Sequence, residues 1–132
     1  MSLQSLVRGR RQERWQRIAV SSAKQCGRAV VPVVREPQAF DTITGSPAAL
    51  PRPWLMFVEP GASSEAVSLN ELDGPAPVNA TLLVGPEGGW TADEVERGSA
   101  VGRQITLGAR TLRADAMALV ALAALFTRWG EL

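Results

Sequence analysis

The chain has 132 residues, 45% hydrophobic and 20% charged, with a formal net charge of +1. One ordinary globular domain fits these numbers; disordered, collagen-like and disulfide-stapled classes do not, because a chain of this size can bury a core and Cys26 is its single cysteine. The absence of histidine and a single lysine, Lys24, exclude Ser-His-Asp hydrolysis, His-ligated metals and a nucleotide loop ending in Gly-Lys-Ser/Thr.

Charge is unevenly spread. Residues 1–35 carry Arg8, Arg10, Arg11, Arg14, Arg17, Lys24, Arg28 and Arg35 against Glu13 alone, a net of +7, whereas residues 36–96 sum to −9 and residues 97–132 to +3. A basic head on an acidic body points to an anionic partner, nucleic acid first, with a solvated helix face as the plain alternative. The start, Met1-Ser2-Leu3, lacks the pattern of a signal peptide, and the longest apolar run, Ala116 to Phe126, is 11 residues, too short to span a membrane. A soluble, cytoplasmic protein with no membrane partner is expected.

In chain order, residues 1–9 read as a tag-like or disordered basic start. From about Arg10 to Cys26, Trp15, Ile18, Ala19, Ser22, Ala23 and Cys26 recur at helical spacing, which predicts a core side, with Arg10, Arg14, Arg17, Lys24 and Arg28 opposite and Gly27 as the stop. On that face Cys26 is expected to be inert packing. Val30 to Val34, broken by Pro32, predicts a short or edge strand. The proline-rich stretch 35–53 reads as loop with at most one short helix around Gln38 to Ile43.

Three apolar runs follow: Trp54 to Val58, Thr81 to Val84 and Gln104 to Leu107. Continuous runs of this length predict strands of a parallel sheet covered on both faces. Thr91-Ala92-Asp93-Glu94 is a capping box for a helix to about Val101. Asp115 to about Trp129 predicts a helix apolar nearly all round, either wrapped by its own domain or set in a homodimer interface. The fold class is therefore α/β, a mostly parallel sheet with flanking helices.

Each strand runs into a glycine-containing loop: Glu59 to Gly61, Gly85 to Gly89, and Gly108 to Arg113. Loops at the carboxyl ends of parallel strands line ligand crevices, and glycine lets backbone groups approach a ligand. Such a pocket suits a purine base or ribose. Its plain alternative is a tight strand-to-helix turn. Gly88 is expected to be sensitive, because valine there would put a branched Cβ against the ligand and demand an unfavourable φ.

Leu82-Leu83-Val84-Gly85-Pro86-Glu87-Gly88-Gly89-Trp90, and then Leu107-Gly108-Ala109-Arg110-Thr111-Leu112-Arg113-Ala114-Asp115, closely resemble the C-terminal part of the RsmE family of ribosomal RNA methyltransferases. Arg14-Trp15, Gln25, Arg28 and Pro32 resemble the family's upstream segment, so the resemblance covers about residues 10–129. It implies methylation of uridine N3 in the small-subunit (16S) RNA with S-adenosylmethionine as cofactor. It also implies a SPOUT-type fold with a C-terminal trefoil knot, and a homodimer. The cofactor-binding residues it implies are Glu59, Pro60, Gly85, Pro86, Glu87, Gly88, Gly89, Leu107, Gly108, Arg110 and Leu112.

Ala109 and Asp115-Ala116 depart from the family's usual Pro and Glu-Thr. Family members also begin earlier, with a β-barrel RNA-binding domain and the opening of the SPOUT domain, so residues 10–132 are expected to be a partial SPOUT domain. Arg113 and Glu87 are the candidate catalytic residues: Arg113 as the cation on the uracil oxygens or else an ion pair with Asp115 or Glu87, and Glu87 to orient the base, take its proton through water or cap a helix. Arg10, Arg14, Arg17 and Arg28 are the candidate RNA contacts. The rival readings are a non-catalytic RNA-binding or assembly module and a SPOUT enzyme for another RNA.

Overall fold

The computed structural model describes residues 3–131, with side chains from Gly9 onward. The chain divides into two compact units, residues 1–39 and 40–132.

The first unit is a long helix, α1 (Leu3–Gln25), followed by an extended segment. The helix starts well before Arg10, taking in residues 3–9; that stretch has no proline and several good helix formers, so nothing in it stops propagation toward the N-terminus. The stop is as expected: the Arg28 amide donates to the Ala23 carbonyl at 2.9 Å, with Gly27 left-handed at φ 65° between them.

The expected core face is corrected. Trp15, Ile18, Ser22 and Cys26 are exposed, and the sheltered stripe is Gln12, Gln16, Ala19, Val20 and Ala23. Its partner within the unit is Pro32–Val34, which docks through polar groups: Gln12 Nε2 donates to the Val34 carbonyl (2.9 Å), Gln16 Nε2 to the Pro32 carbonyl (3.0 Å), and the Val34 amide to Gln16 Oε1 (2.7 Å). Polar docking therefore selects the face that hydrophobic spacing misassigns. The expected strand at Val30–Val34 does not form, because glutamine side chains rather than a neighbouring strand satisfy its backbone.

The second unit opens with α2 (Phe40–Thr44), which overlaps the Gln38–Ile43 window expected for a short helix and runs one residue past it, and a 3-10 turn at Pro47–Ala49. The elements that follow are β1 (Trp54–Phe57), β2 (Val67–Ser68), β3 (Thr81–Val84), α3 (Ala92–Val101), β4 (Arg103–Thr106) and α4 (Ala114–Trp129). All pairings are parallel, in the order β2-β4-β1-β3, so β1 is central. The three apolar runs are strands, as read; β2 is a two-residue addition at the edge.

Alternation along the strands builds two covered faces. Leu55 and Phe57 of β1 and Ile105 of β4 form one core cluster with Leu69, Leu72 and, from α4, Ala121 and Leu125. On the other face lie Trp54, Met56 and Gln104, covered by α3. A Cβ on Gly98 would run into the Met56 side chain, and Gln104 Nε2 donates to the Val95 carbonyl at 2.7 Å. Both caps of the Thr91–Glu94 box are made, with Thr91 Oγ1 accepting from the Glu94 amide and Glu94 Oε2 from the Thr91 amide. Among the described residues, no helix is long and apolar enough to cross a membrane, and no group of His, Cys, Asp and Glu is arranged to hold a metal.

Candidate functional site

Parallel strands all point the same way, so the loops leaving β1, β3 and β4 gather at one edge of the sheet. A cleft opens there, lined by residues from all three: Phe57 to Pro60, Gly85 to Glu87 with Gly89 and Trp90, and Leu107 with Arg110 to Leu112; Ala114 and Met117 of α4 complete it. The cleft is shallow, with a cavity volume of about 40 Å³.

Of the residues expected at a cofactor site, Glu59, Pro60, Gly85, Pro86, Glu87, Gly89, Leu107, Arg110 and Leu112 line this cleft, whereas Gly88 and Gly108 do not. The strain expected at Gly88 belongs to its neighbour. Gly88 has open space around it and no positive φ, while Gly89 is left-handed at φ 73°. A Cβ on Gly89 would also lie 3.2 Å from Glu59 Oε1. Glycine at 89 lets the loop turn and brings the Glu59 carboxylate against its backbone, joining the loops after β1 and β3.

Arg113 stands apart from the cleft lining. It is 84% exposed, and its Nη2 lies 3.3 Å from Asp115 Oδ2, the ion pair considered as its alternative role. In water such a pair is weak. Glu87 is exposed at the cleft, before the Gly89 turn, and the helix cap near it is made by Thr91 and Glu94 instead. Arg10, Arg14, Arg17 and Arg28 are exposed on the first unit.

Sequence reasoning missed the clearest polar contact at the cleft. Trp90 Nε1 donates to the Phe57 carbonyl at 2.8 Å, and its indole packs over Gly85, where a Cβ would sit 3.0 Å from Nε1. The Phe40 ring lies 5.1 Å away, tilted by 41°. Within the motif Trp90 reads as one more apolar residue; its position directly after a Gly-Gly turn was the available signal.

The sequence matches the RNA methyltransferase domain family over residues 3–126. The ribosomal RNA small subunit methyltransferase E of Synechocystis is 35% identical over 125 residues, which cover 84% of this chain and 37% of the relative. The protein of that name from Bacillus subtilis is 31% identical over 119 residues, covering 88% and 46%. The chain thus spans less than half the length of these curated relatives. Among solved structures, ribosomal RNA small subunit methyltransferase E from Neisseria gonorrhoeae bound to S-adenosyl methionine superposes with a TM-score of 0.78 at 30% identity, over 92% of this chain and 49% of that one. A Legionella pneumophila protein solved with bound cofactor SAM shares the fold, with a TM-score of 0.80 at 24% identity over 97% and 50%. With the family match running over nearly the whole length and its glycine loops gathered at one cleft, the chain belongs to the RNA methyltransferase domain family.

Proposed function

We propose that this chain is the cofactor-binding part of an S-adenosylmethionine-dependent methyltransferase that acts on N3 of a uridine in small-subunit (16S) ribosomal RNA, in the cytoplasm, as a homodimer with a SPOUT-type knotted C-terminal segment. The observation that carries the reading is the cleft at the carboxyl edge of the parallel sheet, built from three loops, two of which hold the sequence blocks that resemble the family. Its residues suit the cofactor chemically: Val58, Leu107, Leu112 and Met117 offer apolar walls to an adenine ring, Gly85 and Gly89 expose backbone, and Glu59, Glu87, Arg110 and Thr111 supply charge and hydroxyl for the polar parts. When bound, S-adenosylmethionine supplies an electrophilic methyl group.

In this reading the chain holds the reacting nitrogen in line and offsets charge on the uracil oxygens as the imide proton leaves. Arg113 is the cation for those oxygens, since a weak exposed pair with Asp115 yields readily to a buried partner. Glu87, at the cleft and free of the helix cap, takes the proton through water or orients the base. Arg10, Arg14, Arg17 and Arg28 hold RNA phosphates.

Calorimetry of the chain with S-adenosylmethionine tests the reading. Saturable binding of one cofactor per chain is expected, and a folded chain that releases no binding heat at millimolar cofactor overturns it. Gly89→Val should weaken that binding about fivefold to a hundredfold, because about 1–3 kcal/mol of left-handed backbone strain falls on the loop. Unchanged affinity in a folded variant would move the pocket elsewhere.

The homodimer rests on α4. Its inner face is buried through Ala121 and Leu125, yet Leu119, Leu122 and Phe126 remain exposed on the outer one, with Leu119 at 71%. Leu122, Phe126 and Trp129 also line an apolar groove with residues 76–80. A second copy covering this surface removes it from water. Sedimentation should show a dimer at micromolar concentration and a monomer for Leu122→Glu; a monomeric parent chain would refute the arrangement.

A further inference from the structure

We propose that Trp90 is a positioning residue for the cleft, holding the loop after β3 against the end of β1 through its indole N–H. The inference rests on the reading of the cleft as the cofactor site and adds to it a residue whose part is to fix the shape of the loop.

Three contacts converge on one ring. Its N–H is spent on the Phe57 carbonyl, the last of the central strand, at 2.8 Å. Its face lies over the Gly85 backbone, so close that a methyl group there would stand 3.0–3.2 Å from the indole atoms Nε1, Cε2 and Cδ1. Its other neighbour is the Phe40 ring. Gly85 opens the loop and Trp90 follows its close, so the loop is gripped at both ends by one side chain anchored on β1.

The internal bonds of the loop are few by comparison: the Gly89 amide donates to the Pro86 carbonyl at 2.9 Å. A turn closed by one such bond keeps considerable freedom. A rigid strut from the strand removes that freedom before a ligand arrives, which raises affinity by lowering the ordering cost of binding. Tryptophan serves where phenylalanine does not, because only the indole both fills the space over Gly85 and donates to a strand carbonyl. The contrast with Trp54 is direct: that indole N–H is buried and has no hydrogen-bond partner among the described residues, so it is an internal reference for a tryptophan that only fills space.

The test combines calorimetry, thermal unfolding and the indole N–H resonances of the nitrogen-15-labelled chain. Trp90→Phe keeps a ring but loses the donor, and Gly85→Ala keeps the donor but pushes the ring. Each is expected to bind S-adenosylmethionine about fivefold to tenfold more weakly, the worth of about one hydrogen bond. Leu125→Ala, a core truncation away from the cleft, should lower the unfolding midpoint at least as much yet leave affinity unchanged below it. In the parent chain the Trp90 indole resonance should shift on adding cofactor and exchange more slowly with deuterium, while that of Trp54 stays put.

Parent-like affinity in folded Trp90→Phe, or a Trp90 resonance indifferent to saturating cofactor, overturns the proposal while leaving the cofactor site intact. Should Trp90→Phe fail to fold, the parent resonance decides. A parent chain that binds no cofactor refutes the site and this proposal together.

Discussion

Phe57→Ala is expected to lower the stability of the chain by about 3–5 kcal/mol, a large share of what a domain of this size possesses. Phe57 is the last residue of the central strand and is 1% exposed, packed in the cluster that α4 covers through Ala121 and Leu125. Its neighbours are strands paired on both sides, at Val84 and Ile105, so the backbone cannot close onto the space a lost ring leaves. Urea titration measures the change; a loss below about 1 kcal/mol would mean that the site collapses and that this core is not the one described. Phe57 also lines the cleft, so a folded Phe57→Ala chain should bind S-adenosylmethionine more weakly as well.

Arg113→Ala is expected to lower methyl transfer to small-subunit RNA about a hundredfold to a thousandfold, with cofactor affinity within about twofold of the parent. The expected split follows from position. Arg113 is outside the cleft lining and its side chain, among the described residues, bonds a water-exposed carboxylate, so a resting cofactor loses little when it goes, whereas in the proposed reaction the charge that develops on the uracil loses a permanent cation. Labelled methyl transfer is the readout, in this chain or in a chimera carrying the residues that its longer relatives add. Equal loss of both functions would make Arg113 a cofactor or structural residue, and full activity would remove it from the site.

The strands β1 and β3 are legible because a sheet covered on both faces needs short, unbroken apolar runs; β4, with Gln104 and Thr106 in it, is marked less sharply. The cap of α3 is legible because Thr91 and Glu94 satisfy amides a turn away, a matter of local spacing. β2 is not legible: Val67 and Ser68 are placed by pairing with Ile105 and Thr106, which no local pattern announces. The face of α1 misleads for a related reason. Spacing weighs apolar residues only, and the first unit is docked by the amides of Gln12 and Gln16.

At the candidate site, motif reading brings most of the lining together, since glycines after strands are local marks. It misplaces the strained glycine by one position, because neither Gly88 nor Gly89 carries a side chain that betrays φ. It passes over Trp90, whose part depends on a carbonyl 33 residues away.

The docking of residues 32–34 on α1 bears on how the chain behaves in crowded solution. An extended segment with vacant backbone groups invites a strand from another molecule, and Val30 and Val33, turned to solvent at 75% and 79%, would make such a meeting adhesive. The Gln16 amide leaves fewer of those groups vacant. Presenting one donor and one acceptor at the spacing of a peptide group, it occupies Pro32 and Val34 from within the same molecule. Pro32, with no N–H, offers an incoming strand nothing on that account. A side chain that imitates backbone thus leaves these two groups with partners inside the unit, and it does so without adding a single strand to the fold.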